Sequence, residues 1–499
     1  MVQPQIATAY SVAFHGVEAR PVEVQCALSE GLPGLAIVGL PDKAVSEARE
    51  RVRAALSAIA IALPMKRITI NLSPADLPKE GSHFDLPIAL AILAAMEMLP
   101  RETVAETIAL GELSLDGKLM PVRGALPAAM LAVAEEKSLL CPAACGGEAA
   151  WVEACTVTAP ATLLAAIKHL TDQRPLPPAE AQRRDDLASY PDLRDVRGQE
   201  RAKRALEIAA TGGHHLLMIG PPGAGKSMLA ARLPGLLPPA NPREMLESSV
   251  IHSIAGELGA DGLCAARPFR SPHHSASVAS VAGGGRMAKP GEISLAHNGV
   301  LFLDEIPEFP RNVIEVLRQP LETGEITVSR VNAHLTYPAR FILLAAANPC
   351  RCGHLADIAR ACGKAPGCGA EYLSRLSGPI LDRFDMHLTV PAVKIDEISG
   401  TATGESSATI AARVASAREV ANARQGKLNA EMSGDPLMDA ARLAEDGKAL
   451  LSAAAERLGL SARGYFRVMR VARTIADLAG AEAVEKSHLT EALSFRSAA

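Results

Sequence analysis

Eight consecutive residues carry the densest chemistry in the chain: Gly220, Pro221, Pro222, Gly223, Ala224, Gly225, Lys226 and Ser227. They fit G-x-x-x-x-G-K-[ST] in full and continue a short apolar run, His214–Gly220. Glycines in such a loop let backbone N–H groups converge on phosphate oxygens with no Cβ in the way. The lysine reaches the β- and γ-phosphates, and the hydroxyl ligates Mg²⁺. A helix starting near Lys226 adds its positive N-terminal end. A phosphate loop also needs a carboxylate at the end of another strand. Gly299-Val-Leu-Phe-Leu-Asp304-Glu305 supplies two. Asp304 is expected to act on the metal through its water shell, and Glu305 to orient and deprotonate the attacking water. A third apolar run, Phe341–Ala347, ends in Asn348, whose amide suits the lytic water or a γ-phosphate oxygen. Asn-Pro after a strand is also ordinary turn chemistry.

The elements that must position these groups follow from pattern. The 499 residues suggest two to four domains. A 48% hydrophobic, 21% charged composition suits a globular protein with several cores, and with 3% aromatics the packing falls to Ala, Leu, Val and Ile. A net charge of −4 gives no global reason to bind nucleic acid or an anionic membrane, so any polyanion contact must be local. The first sixteen residues lack the basic start and apolar run of a secretory leader. The strongest apolar stretch, Leu86–Met96, is too short to span a membrane. Nine cysteines without a secretion signal read as reduced thiols or metal ligands, and the expected compartment is the cytoplasm.

Arg20–Leu28 and Arg67–Leu72 read as strands, and so does Thr107–Leu115. Asp42–Ile61 reads as a helix capped by Asp42, and Phe84–Met98 as a buried helix. The proline-rich, charged stretch Thr171–Asp186 reads as a linker. Alternating helices and β-rich runs to about Val390 indicate a nucleotide-binding core, and the Ala-, Arg- and Glu-rich remainder is helical throughout. Glu325–Arg330 and His334–Arg340 flank a turn at Val331–Ala333 and read as a β-hairpin.

With Asp195-Val-Arg-Gly-Gln-Glu200, Leu376-Ser-Gly-Pro-Ile-Leu-Asp-Arg383-Phe-Asp385, Pro268-Phe-Arg-Ser-Pro-His-His274 and Pro290-Gly-Glu-Ile-Ser-Leu-Ala-His-Asn-Gly299, the nucleotide motifs make a specific set. The chain resembles the bacterial magnesium chelatase-like AAA+ ATPases, the ComM/YifB family, over essentially its whole length. The resemblance implies an α/β fold: an AAA+ P-loop core with a parallel sheet, preceded by a Lon-protease-like α+β domain and followed by an all-α lid domain. The corresponding boundaries are 1–170, a linker at 171–190, 191–392 and 393–499. It also implies ATP and Mg²⁺ as ligands and a homo-oligomer, usually a hexameric ring, with ATP between neighbours. Arg383 matches the arginine finger supplied in trans, and Arg463 the sensor-2 arginine of the lid. Arg467 and Arg470 lie near the same helical face.

Asp76-Leu-Pro-Lys-Glu-Gly81-Ser82-His83 and Gly111-Glu-Leu-Ser-Leu-Asp-Gly-Lys118-Leu-Met-Pro121 resemble the loops that carry the serine and lysine of Lon proteases. In that alignment His83 and Leu126 occupy the two catalytic positions, Ser82 is one residue out of place, and no dyad is expected.

Cys350, Cys352, Cys362 and Cys368 offer a tetrahedral Zn²⁺ set, with reduced loop thiols as the alternative. Arg270, His273, His274, Arg286, Arg330 and His334 are candidates for DNA phosphate contacts, or else subunit-interface residues. The resemblance implies a DNA motor of the helicase or branch-migration type on single-stranded or branched DNA. A chelatase-like ATPase remodelling a protein partner and an ATP-dependent peptidase are the competing readings. No membrane partner is expected.

Overall fold

The computed structural model describes residues 5–181, 190–258, 262–285, 288–330, 333–353, 355, 362–393 and 404–496. Its first unit is built on a long hairpin. Gln5–His15 and Glu18–Ser29 pair antiparallel from Gln5↔Leu28 to His15↔Glu18. Their two-residue turn needs a positive φ at its first position, which Gly16 supplies at +65°. The strand read at Arg20–Leu28 is thus longer, and its partner Gln5–His15 is an addition. Seven strands follow one another across this sheet: Gly34–Val38, Arg67–Ser73, Glu18–Ser29, Gln5–His15, Thr107–Ala109, Ser138–Leu140 and Val157–Thr158.

Helix Lys43–Ala58 starts where expected, with the Asp42 carboxylate accepting from Val45 N–H. It buries Val45, Ala48, Val52, Ala55 and Leu56, one stripe of a 3.6-residue period. Helix Asp85–Ala95 is buried on every side. The stretch read as one strand at Thr107–Leu115 breaks instead into Thr107–Ala109 and Glu112–Leu113.

The second sheet is parallel throughout and runs in the order Phe269–Arg270, Val300–Leu303, Ile342–Ala347, Leu216–Ile219, Met386–Thr389. A parallel sheet covered on both faces needs unbroken apolar strands, and Val300–Leu303 and Ile342–Ala347 are buried at every residue. The strand that comes first in the chain, Leu216–Ile219, lies fourth in the sheet. Chain order therefore reverses beside it, which opens a crevice at its carboxyl end.

The C-terminal region is helical: Ser407–Gln425, Gly434–Ala441, Glu445–Leu458, Ala462–Leu478 and Lys486–Ser494. It shares one hydrophobic core with the parallel sheet, since Val468, Met469, Ile475 and Phe495 pack in the same cluster as Leu216, Met218 and Leu388. Two further contacts tie the first unit to this assembly. The buried Glu148 carboxylate accepts from Leu126 N–H and from the Ser253 hydroxyl of helix Pro242–Ala255. Gly16, at the tip of the long hairpin, abuts the carbonyl of Thr336.

Candidate nucleotide site and arginine cavity

Gly220 leaves the sheet through a gap that only glycine fits: a Cβ there would lie 2.2 Å from the Val390 carbonyl oxygen. Its N–H bonds Ala347 O at 3.1 Å. Gly223 and Gly225 take φ values of +76° and +86°, left-handed conformations that cost other residues energy. A Cβ on Gly223 would meet nothing within 4 Å, so the outer side of the loop is open. Behind it, Gln199 Nε2 donates to Pro391 O at 2.7 Å and Ala224 O at 3.4 Å, bracing the loop from the inner side.

Lys226 is buried, and its Nζ donates to Gly220 O at 2.7 Å, Pro221 O at 3.0 Å and Asn348 Oδ1 at 3.2 Å. Burial pushes its pKa down, while the carboxylates of Asp304 and Glu305 pull it back. Ser227 Oγ donates to Asp304 Oδ2 at 2.5 Å, and the other Asp304 oxygen accepts from Glu305 N–H at 2.9 Å. Glu305 itself sits at φ +51°, a strained conformation for a non-glycine residue that turns its side chain out of the strand line. Its Oε2 lies 3.9 Å from His274 Nδ1.

These residues fit a magnesium–nucleoside triphosphate. The loop offers an open N–H concavity, an ammonium resting on exchangeable carbonyls, and a hydroxyl–carboxylate pair where a divalent cation bridges. The carboxyl ends of the strands thus bring together Gly220–Ser227, Asp304, Glu305 and Asn348.

Arg383 and Arg463 stand elsewhere. Both line a cavity of about 1020 Å³ whose other walls include His215, Gly299 and Phe341, the residues that enter the same strands at their amino ends. Strands of four to six residues at about 3.3 Å per residue put roughly 13–20 Å between the two ends. Arg383 is buried, with Nη1 on Pro379 O at 2.6 Å and Nη2 on Glu322. Burial lowers its pKa, Glu322 opposes that, and the positive charges of Arg463, Arg318 and Arg467 lower it further. Nε of Arg383 and Nε of Arg467 are buried donors without a hydrogen-bond partner among the described residues. Such a cavity suits an anion.

The description "Magnesium chelatase, subunit ChlI" matches residues 192–398, "Subunit ChlI of Mg-chelatase" matches 22–144, and "Magnesium chelatase, subunit ChlI C-terminal" matches 404–496. "Uncharacterized protein YifB" of Salmonella typhimurium is 46% identical over 497 residues, 98% of this chain and 97% of that protein. "Competence protein ComM" of Haemophilus influenzae is 44% identical over 498 residues, again 98% and 97%. The chain belongs to the magnesium chelatase-like ComM/YifB family. Likeness to chelatase subunits themselves is narrower: "Magnesium-chelatase subunit ChlI-2, chloroplastic" of Arabidopsis thaliana is 26% identical over 198 residues, 39% of this chain and 42% of that protein. Family membership implies an ATPase that uses ATP and Mg²⁺. The parallel sheet with its C-terminal helices is consistent with the AAA+ type.

Several expectations change on contact with the structure. Arg270 is tied up in ion pairs, with Nε and Nη2 on Glu292 at 2.6 and 2.9 Å and Nη1 on Glu257 at 3.0 Å. Its charge is spent inside the protein. His273 stacks on His274, ring centroids 4.1 Å apart, and with His274 beside Glu305 this pair belongs to the nucleotide end of the sheet. Sequence reasoning gave His274 no such place, because nothing local marks a partner thirty-one residues away. The hairpin forms with Glu325–Arg330 paired to Ala333–Pro338, so Ala333 is strand rather than turn. The side chains of Arg330 and His334, and all of Arg286, lie outside the described residues.

The zinc expectation at Cys350, Cys352, Cys362 and Cys368 is not supported. Among the described residues no group of three or more His, Cys, Asp or Glu side chains is arranged to hold a metal ion. The thiols do meet: Cys350 Sγ and Cys352 Sγ are 3.1 Å apart. Cys368 lies beside Cys362 and Cys350, and burial together with these two thiols pushes its own thiol up to about 12. In the first unit, Ser82 donates to Glu112 and Lys118 pairs with Asp116 at 2.8 Å. His83 is buried with Nε2 2.8 Å from Val12 O, and Leu126 is buried. No helix among the described residues is long and apolar enough to cross a membrane.

Proposed function

We propose that the chain is an ATP-hydrolysing ring motor, a homo-hexamer as its family resemblance implies, that acts on single-stranded or branched DNA. Helicase or branch-migration activity in natural transformation or recombination is the reading, within the cytoplasm. One observation carries the ring: Arg383 and Arg463 line a cavity at the opposite end of the sheet from Gly220–Ser227. A cavity in which Nε of Arg383 and Nε of Arg467 have no hydrogen-bond partner among the described residues complements a phosphate loop in the next subunit. The printed name of the Haemophilus relative, a competence protein, supports DNA as the polymer. The proposed division is 1–170 with a Lon-like fold, 171–190, 191–392 and 393–499.

In this reading Lys226 exchanges the Gly220 and Pro221 carbonyls for β- and γ-phosphate oxygens. Ser227 and Asp304 would hold the metal, through the hydroxyl and the carboxylate that meet at 2.5 Å. Mg²⁺·ATP supplies a polarised γ-phosphorus and a diphosphate leaving group. Glu305 accepts a proton from the attacking water, Asn348 orients that water, and Arg383 of the neighbour stabilises charge on the transferring group. The hairpin at Glu325–Pro338, through Arg330 and His334, moves the DNA backbone.

The test is steady-state ATPase with and without single strands, duplex and four-way junctions, in the parent and in Glu305→Gln. Turnover that no DNA form alters ends the DNA reading. The alternative, a chelatase-like ATPase remodelling a protein partner, draws on the chelatase descriptions matched along the chain. It predicts DNA-independent turnover and copurification with a larger partner.

A further inference from the structure

Asp385 lies two residues past Arg383, and its side chain is buried. Its Oδ1 accepts from Arg467 Nη1 at 3.2 Å, and its Oδ2 lies 3.3 Å from both His214 Nδ1 and the His215 backbone N. The backbone N–H groups of Asp385 and Met386 return to His215 O at 3.0 and 3.1 Å. His214 Nε2 lies 2.7 Å from Thr474 Oγ1, on the same helix as Arg467 and two turns further along. His215 Nδ1 accepts from Leu343 N–H at 3.1 Å, at the start of the central strand. One carboxylate therefore joins the segment behind Arg383, the strand that leads into Gly220, and the helix that carries Arg463 one turn before Arg467.

Burial opposes ionisation of Asp385, and His214 and Arg467 more than offset it, holding the carboxyl far below the usual range. The charge has a purpose in this setting. Arg383, Arg463 and Arg467 repel one another, and the only acid bonded to Arg383 among the described residues is Glu322. Asp385 supplies the counter-charge of Arg467; without it, the positive charge of Arg467 would act on Arg383 unbalanced.

We propose that Asp385 is a positioning residue that fixes Arg383 and Arg463 in the geometry with which they serve the neighbouring subunit's nucleotide, linked through His214 and His215 to the strand of its own phosphate loop. The inference rests on the reading that these arginines act in trans.

The experiment measures Mg²⁺·ATP turnover and nucleotide affinity in full-length Asp385→Asn, Arg383→Ala and Lys226→Ala, alone and mixed in pairs. Asp385→Asn alone is expected to turn over on the order of 10²-fold more slowly with nucleotide affinity kept. Mixed with Lys226→Ala, it is expected to regain activity, because at alternate interfaces an intact phosphate loop meets an intact arginine pair. A subunit that merely folds badly is not rescued this way. Arg467→Gln, which removes the same ion pair from the other side, is expected to behave alike and covers the case in which Asp385→Asn does not fold. Parental turnover in Asp385→Asn overturns the proposal. So does a mixture in which Arg383→Ala is rescued by Lys226→Ala while neither Asp385→Asn nor Arg467→Gln is. If Arg383→Ala is not rescued either, the trans reading itself fails.

Discussion

Ser227 Oγ donates to Asp304 Oδ2 at 2.5 Å, although Ile342–Ala347 lies between Leu216–Ile219, whose phosphate loop leads to Ser227, and Val300–Leu303, which Asp304 follows. The phosphate loop carries the hydroxyl from the end of Leu216–Ile219 to the carboxylate that follows Val300–Leu303. Their meeting point is where a divalent cation would replace the shared proton.

Asp304→Asn keeps the shape and removes the charge. The Mg²⁺ concentration for half-maximal turnover is expected to rise about 10–100-fold, and chelation of Mg²⁺ to end turnover in the parent. A Mg²⁺ titration of ATP hydrolysis measures both. An unchanged titration removes Asp304 from the metal site.

Glu305→Gln and Lys226→Ala separate binding from chemistry. The first is expected to bind ATP and lose turnover by roughly 10²–10⁴-fold, the range for loss of a general base. The second, whose ammonium now rests on Gly220 and Pro221, is expected to lose nucleotide affinity. Equilibrium binding beside steady-state hydrolysis distinguishes them.

Arg383→Ala is expected to lower turnover by roughly 10³–10⁵-fold, the value of an arginine finger, with nucleotide binding intact. Its own phosphate loop is at the far end of the sheet, so turnover at the parental rate would remove Arg383 from the neighbour's nucleotide.

Arg270 and the hairpin arginine should part company. Arg270 holds Glu292 and Glu257, so Arg270→Ala is expected to lower stability by about 1–3 kcal/mol, visible as a drop in melting temperature. Arg330→Ala with His334→Ala is expected instead to raise the DNA concentration needed for stimulation and to flatten its salt dependence. Equal melting losses in both variants would undo this distinction.

Acid should weaken the core at two histidines. Burial lowers His215 and His387 from 6.5 to about 4 each. Both are neutral in the fold, and the unfolded chain takes up their protons first as pH falls. Stability is therefore present above pH 6.5 and lost progressively towards pH 4, by roughly 3 kcal/mol per histidine at most. Denaturation followed from pH 7 to 4.5 should show the slope, and His387→Leu should flatten it.

The sequence alone determined the phosphate loop, the Asp304–Glu305 pair, Asn348 and the alternation of buried strands with helices. Phosphate binding uses contiguous backbone, and a covered parallel strand must be apolar at every residue, so both leave marks on neighbouring positions. The Asp42 cap was legible for the same reason: its partner is three residues away. Only the tertiary structure decided at which end of the sheet Arg383 and Arg463 stand, that Arg270 is consumed by Glu292, that His274 faces Glu305, and that Asp385 receives Arg467 and His214. Those pairings join residues from 22 to 171 positions apart, and charge partners so distant follow no period. Their choice depends on which strand lies beside which, and that is settled by packing.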